Sequence, residues 1–311
     1  MVKRQLASLR MRHLSLISAL GQTQNLHQAA EQTYMTQPTA TRLLRDAEEI
    51  LGSTLFERMP RGMRPTPLGA DAIHFADRIL SQLEIFSTDL KIKRNGGHGL
   101  LVIGAIMGAA PHIVASAVAE MKKAHPLLTI RILGETSDMI LTMLERGELD
   151  FAVGRFANRM QHNLFAFEHL AEEKLSIVAR CDHPLFDDPP TRLQQLANLP
   201  WVLQPEATVA RQLLEAEFAN HGMTTPINRI EVASIFAALQ LLQNCEAVAM
   251  LSKPVVADYL RAGILLELPL AIDWKLSGFG LLTRRSETLA GFADELAGHL
   301  RRIARQQELL G

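Results

Sequence analysis

The stretch QAAEQTYMTQPTATRLLRDAEEILG, residues 28–52, holds two short helical patterns only a few residues apart. The second opens on Thr36, Gln37, Pro38, Thr39 and Thr41, with Arg42 and Arg45 just behind. Its other side is apolar, with Ala40, Leu43, Leu44, Ala47, Ile50 and Leu51 at helical spacing. A helix that only filled a core or faced solvent has no use for hydroxyls, an amide and two guanidiniums on its first two turns. The second helix of a helix-turn-helix does, because its N-terminal residues meet base edges and phosphates in the major groove. Gln37 suits adenine, Arg42 and Arg45 suit guanine or phosphate, and Thr39 and Thr41 suit phosphate or a thymine methyl. On this segment alone, a surface helix capped by Thr36 fits equally well.

Upstream, Leu14, Ile17 and Leu20 form a helical stripe, and Asn25 is placed to cap a helix running to about Thr33. Downstream, STLFERMPRGMRPT alternates around a Pro60-Arg61-Gly62 turn, the pattern of a hairpin. Thr66-Pro67 then reads as a helix start, a capping hydroxyl followed by proline in the first turn. Along that helix Leu68, Ala72, Phe75, Ile79, Leu83, Phe86 and Leu90 recur every three or four residues. The stripe predicts a packing seam between two copies of the chain, with an intramolecular core as the alternative. The helix runs out in KIKRNGGHG, a Gly-rich hinge.

Past Gly99 the pattern changes to strands alternating with helices. LLVIGA, LLTIRILGE and LDFAVGRF read as strands, with helices between them. A second unit of the same kind follows, through KLSIVARC, PWVLQP, a helix over 208–221, NRIEV and a helix over 234–243. AVAML, ILLELP, GFGLLTRR and a terminal helix complete the chain. Such alternation predicts α/β architecture with a parallel sheet.

Composition fits this division. The chain has 311 residues, 48% of them hydrophobic and 21% charged, with a net charge of −1. That charge is unevenly placed, with 13 basic against 9 acidic residues up to Arg94 and 19 against 24 beyond it. A basic head on an acidic body suits a polyanionic partner. No apolar run is long enough for a membrane span, and the basic N-terminus lacks the apolar core of a signal peptide, which predicts a cytoplasmic protein. Cys181 and Cys245 fit no zinc or CxxC pattern and read as small buried hydrophobes, with a thiol sensor as the alternative. G-x-S-x-G, Walker, HExxH and G-x-G-x-x-G motifs are absent and the eleven histidines are scattered. No enzyme, cofactor or metal is expected.

Ala29-Ala30, Thr36-Gln37-Pro38, Thr41, Leu44 and Glu48 are followed by LGSTLFER at 51–58, Gly62 and TPLG at 66–69. This series resembles the N-terminal signature of the LysR-type transcriptional regulators. It departs from it at Asn25-Leu26, where Ser-Phe is usual, at Thr39 for Ala, and at Ala40 and Ala47 for bulkier residues. HPLLTIRI and LERGELDFAVGR extend the likeness along the chain. The resemblance implies an α/β protein overall. Its parts are a winged helix-turn-helix over 1–65, a linker and dimerisation helix over 66–95, and an effector domain over 98–311. The effector domain would have two Rossmann-like lobes of periplasmic-binding-protein type. Lobe I takes about 98–164 plus 268–311, and lobe II about 165–267. Arg58, Arg61 and Arg64 on the wing would face the DNA backbone, or be merely solvated turn charges.

The implied partners are double-stranded DNA, RNA polymerase, a second copy or a tetramer's worth of copies, and a small effector, either a carboxylate or a sugar. The likeness is nearest to regulators of sugar-uptake and aromatic-acid genes. Effector positions would lie at strand ends and helix starts, where free N–H groups gather. They are Ala105, Ile106 and Met107, then Thr136 and Ser137, then Arg155, with Thr208 and Ser234 in the second lobe. Arg155 suits a carboxylate or, equally, a lobe-to-lobe salt bridge. Thr136, Thr208 and Ser234 also read as plain helix caps. Two readings compete with a ligand-controlled DNA-binding regulator. One is a thiol-based redox regulator, and the other a solute-binding protein, which would leave the first 94 residues without a role.

Overall fold

The computed structural model of the chain describes residues 8–106, 108–156, 159–270, 274–285 and 287–308. At its N-terminal end, α1 (Met11–Thr23), α2 (Leu26–Gln32) and α3 (Gln37–Leu51) close around Leu16, Ile17, Leu20, Ala30, Ala40 and Leu44. Ala40 and Ala47 are wholly buried, so small residues there let α3 approach its neighbours closely. The Asn25 side-chain oxygen accepts from the amides of His27 at 2.9 Å and Gln28 at 3.3 Å, which starts α2. Gln24 and Tyr34, at either end of α2, adopt the left-handed conformation that few non-glycine residues take. They make the tight reversals that the helix-turn-helix needs.

A hairpin of β1 (Phe56–Met59) and β2 (Gly62–Pro65) follows, in antiparallel register. Glu48 ties it to α3, because its carboxylate accepts from the amides of Leu55 at 2.7 Å and Phe56 at 3.3 Å. The next helix, α4 (Pro67–Arg94), starts where Thr66 Oγ1 accepts from the Gly69 amide at 3.0 Å. Gly69 sits against Leu55, and a Cβ there would overlap the Leu55 carbonyl oxygen. Helix α4 has 28 residues, about 42 Å at 1.5 Å per residue.

The chain divides into two compact units, the first being Met1–Val102 with Leu127–Thr129 and Thr142–Asp150. Within it, α4 is held at two places along its length. Asp77 accepts from Ser18 Oγ at 2.5 Å and lies 3.9 Å from Arg146 Nε. Gln82 Nε2 donates to the Gly147 carbonyl at 2.7 Å.

The second unit takes in most of the α/β sequence. Its elements begin with β3 (Gly99–Ala105), α5 (Ala115–Ala124), β4 (Leu128–Gly134), α6 (Ser137–Glu145) and β5 (Phe151–Gly154), the first residues of β3 and β4 and the last of α6 being counted with the first unit. They continue with β6 (Phe165–Arg180), β7 (Trp201–Leu203), α7 (Val209–Asn220), β8 (Arg229–Glu231), α8 (Ile235–Asn244) and β9 (Ala249–Ser252). The last are α9 (Lys253–Arg261), β10 (Leu265–Glu267), β11 (Lys275–Arg284) and α10 (Phe292–Glu308). Seven strands form one sheet in the order β10-β6-β11-β5-β3-β4, with β9 also on β6.

The sheet is mixed, which corrects the parallel expectation. β3 and β5 pair in parallel, but β11 is antiparallel to both β5 and β6. β10, like β11, runs antiparallel to β6. β6 serves three partners along its length. Its first part pairs with β11 as far as Lys174, and its second part pairs with β9 and β10 from Leu175 onward. In that second part Ile177 and Val178 enter two different cores on opposite faces. A strand buried on both sides is a continuous apolar run, as LSIVA is. Helix α9, absent from the sequence reading, begins just after Ser252 with Pro254 in its first turn.

Candidate DNA interface and effector pocket

Helix α3 turns Gln37, Thr39, Arg42 and Arg45 outward, while Ala40, Leu44 and Ala47 face the core. The hydroxyls are partly committed among themselves. Thr36 Oγ1 and Thr39 Oγ1 lie 2.8 Å apart, and Thr41 Oγ1 donates back to the Gln37 carbonyl at 2.9 Å. Thr36 therefore holds the N-cap position of α3 without making a side-chain cap. Pro38 lies exposed in the first turn, where its missing amide proton costs nothing. Arg45 Nε contacts Glu49 Oε1 at 2.8 Å one turn on, a pair exposed on both sides. Asn25 is drawn into capping α2 as described, so its oxygen is not available to a base. On the hairpin Arg58, Arg61 and Arg64 are all exposed.

Tyr34 was not singled out by sequence. It is 98% exposed, in the turn between α2 and α3, and lines a concavity with Thr36, Thr39 and Arg42. An aromatic residue between two helical patterns is the only sequence signal it leaves.

Along α4 the stripe is uncovered. Phe75 exposes 51% and Phe86 56% of its surface, and Leu68, Ile79, Leu83 and Leu90 are also exposed. Ala72 alone of the series packs against the head's core. Six large apolar side chains on one line of a helix are more than scattered surface exposure produces.

In the second unit a cleft of about 750 Å³, counting its open mouth, is lined by residues from both parts of the sheet. Of the sequence-chosen positions Ile106, Thr136, Ser137, Arg155 and Thr208 line it. Ala105 is a buried strand residue outside the lining, and Met107 lies outside the described residues. Ser234 caps α8 by accepting from the Ala237 amide at 3.3 Å, and its neighbour Ile235 takes the lining position instead. A helix start placed the cap at the mouth of the helix and the next residue over the cavity. Thr208 does both jobs, capping α7 and lining the cleft.

Arg155 is only 4% exposed and forms an ion pair with Glu173, which is equally buried. Gly108 lies so near that a Cβ there would overlap the Glu173 carboxylate and require that side chain to shift. Arg155 Nε and Ser252 Oγ have no hydrogen-bond partner among the described residues, and both residues line the cleft. Buried polar atoms without partners are uncommon in folded proteins, and these two are closed to solvent as well. Glu173 and Ser252 escaped the sequence reading. Ser252 ends β9 and precedes α9, a helix the sequence reading did not draw, and Glu173 stands just before the stretch KLSIVARC that it took as a strand.

Residues 11–70 match the family described as bacterial regulatory helix-turn-helix protein, lysR family, and residues 94–305 match the LysR substrate binding domain. The chain belongs to the LysR family. It is a LysR-type transcriptional regulator with an effector-binding domain, and the solute-binding and redox readings are not supported. The HTH-type transcriptional regulator GbpR of Azospirillum brasilense is 32% identical over 296 residues, covering 95% of this chain and 86% of that protein. The crystal structure of CbnR, a LysR family transcriptional regulator, aligns with a TM-score of 0.59 at 20% identity, covering 95% of this chain and 99% of CbnR. Full-length CbnR complexed with its target DNA aligns with a TM-score of 0.57 at 20% identity, over 95% of this chain and all of that one. These likenesses establish the fold of a helix-turn-helix followed by a two-part α/β effector domain.

Two further sites of this LysR regulator bear on the alternatives. Cys181 is exposed rather than buried, because it follows the last residue of β6. Cys245 is half-buried and its thiol donates to the Leu241 carbonyl at 2.9 Å. Among the described residues no group of His, Cys, Asp and Glu is arranged to hold a metal, and no helix is long and apolar enough to cross a membrane.

Proposed function

We propose that this regulator reads its operator with α3 and the hairpin, pairs through α4, and is switched by a small molecule in the cleft. Gln37, Arg42 and Arg45 reach base edges. Thr36, Thr39 and Thr41 meet the backbone, with Pro38 beside them and Asn25 setting the entry angle of α2. Arg58, Arg61 and Arg64 hold the flanking phosphates. The head covers 1–65, the linker 66–95 and the effector domain 98–311, with lobes of about 98–164 plus 268–311 and 165–267. Leu68, Phe75, Ile79, Leu83, Phe86 and Leu90 form the dimer seam, and a tetramer arises by pairing dimers. The effector, a carboxylate or a sugar, contacts Ile106, Thr136, Ser137, Arg155 and Thr208, with RNA polymerase the final target at the promoter.

The observation that carries the effector reading is the meeting of Thr136, Ser137, Arg155 and Thr208, from distant parts of the chain, around one cleft. A thermal-shift screen of sugars and small carboxylates on the full chain tests it, since a ligand that binds only the folded state raises the melting temperature. The ligand found must also change operator affinity in a gel-shift titration. A ligand that stabilises the protein but binds equally well after Ile235→Trp, which fills the cleft, would place the effector site elsewhere.

A further inference from the structure

Four charged side chains line the cleft among the described residues, and three of them are acidic: Glu135, Asp138 and Glu173. The fourth, Arg155, is already paired with Glu173 in a buried contact. Taking the cleft to be the effector site, we propose that it selects an uncharged polyhydroxylated molecule, a monosaccharide or polyol, and rejects carboxylates.

The argument is one of charge and hydrogen bonds. A carboxylate accepting from Arg155 would sit beside the Glu173 carboxylate in a buried site, and two like charges there are strongly unfavourable. To displace Glu173 instead, it would leave that carboxylate buried without its partner, which costs more than a surface ion pair returns. Glu135 and Asp138 at the exposed rim repel an anion on its way in. An uncharged hydroxyl meets none of these penalties. It has one proton to donate and lone pairs to accept with, so it pairs with uncharged polar groups and brings no charge to desolvate. Thr136, Ser137, Thr208 and Gln204 supply groups of the same two-way kind. Ile106, Leu175, Val255 and Leu276 supply an aliphatic wall for the C–H face of such a molecule. The ion pair thus acts as a neutral, preorganised hydrogen-bonding group rather than as an anion trap.

The test is a matched panel read by thermal shift and calorimetry on the full-length chain. Glucose, galactose, mannose, xylose and the hexitols are each set against the corresponding uronic or aldonic acid. At least one uncharged member binds, and its acid counterpart binds at least 10-fold more weakly. Glu173→Gln frees Arg155 and shifts the ratio toward the acid by 10-fold or more. A native unfolding transition of Glu173→Gln without ligand guards against loss of fold, and a folded Glu173→Gln that still excludes the acid overturns the role given to the pair. An acid that binds more tightly than its neutral partner overturns the proposal, as does a panel in which no uncharged member binds. Ile235→Trp separates the two layers of the argument. Neutral binding that survives it overturns the cleft as the site. Acid binding that it abolishes leaves the cleft standing and removes only the neutral specificity.

Discussion

The head and the cleft both use arginine, and they use it in opposite ways. On the head Arg42, Arg45, Arg58, Arg61 and Arg64 are exposed, and the ion pair of Arg45 with Glu49 is out in solvent. In the cleft Arg155 is buried and its charge is matched by a buried carboxylate. An exposed guanidinium keeps its long-range field for a polyanion such as DNA, whose binding rests on phosphate neutralisation. A buried, matched guanidinium has lost that field and offers only directional hydrogen bonds. On the proposed function, the same residue type is an electrostatic anchor in one unit and a hydrogen-bonding group in the other.

That contrast is broken or sharpened first by the stability of the two pairs. Glu173→Ala strands a buried guanidinium and should cost about 3–5 kcal/mol in urea unfolding. Glu49→Ala removes an exposed partner and should cost no more than about 1 kcal/mol. Equal losses would mean the burial difference has no energetic weight. Next comes DNA affinity. Arg42→Ala should cost about 1–3 kcal/mol and relax preference at one base pair, whereas Arg61→Ala should weaken all sequences alike and lower the salt slope by about one. A base-specific effect at Arg61 would move sequence reading onto the hairpin.

The seam is tested by Leu83→Glu with Phe86→Glu, which puts two charges into an apolar contact. The expected result is a smaller species by light scattering, with cooperative binding to paired half-sites lost. An unchanged mass would exclude this stripe as the contact.

The smallest expected effect is one of pH, confined to the head. Burial holds the His13 imidazole below its ordinary value, Asp46 raises it in part, and its Nδ1 accepts from the Arg10 amide at 2.9 Å. A group depressed in the folded state takes its proton first in the unfolded chain. Its stability contribution is therefore present above about pH 6.5 and is lost as pH falls through that value. Protection factors of the α1 amides, with the intrinsic pH dependence of exchange divided out, should fall between about pH 7.5 and about pH 5.5, and His13→Gln should flatten that dependence.

Much of the head was legible because its signals are local. Caps, the proline in the first turn and the stripe spacing of Ala40, Leu44 and Ala47 each speak for the residues beside them. Even there the roles of Glu48 and Gly69 were hidden, since each acts on Leu55. In the α/β part LSIVA was readable as a strand, while the first part of β6, FAFEHLAEE, was not. Its polar residues alternate with apolar ones less regularly, and its pairing with β11 bridges about a hundred residues of chain.

The sequence by itself determined the class of protein, through the residues it shares with the LysR signature, and the helices and the stripe along α4, through spacing within one segment. For the helices and the stripe, the 3.6-residue period and capping residues suffice. Only the tertiary structure decided what Arg155 does. Its strand-end position suited a carboxylate ligand and an internal ion pair equally well, and the choice depended on Glu173, eighteen residues on and buried beside it. A charge takes its meaning from the groups desolvated with it, and those are brought together by packing rather than by neighbourhood in the chain.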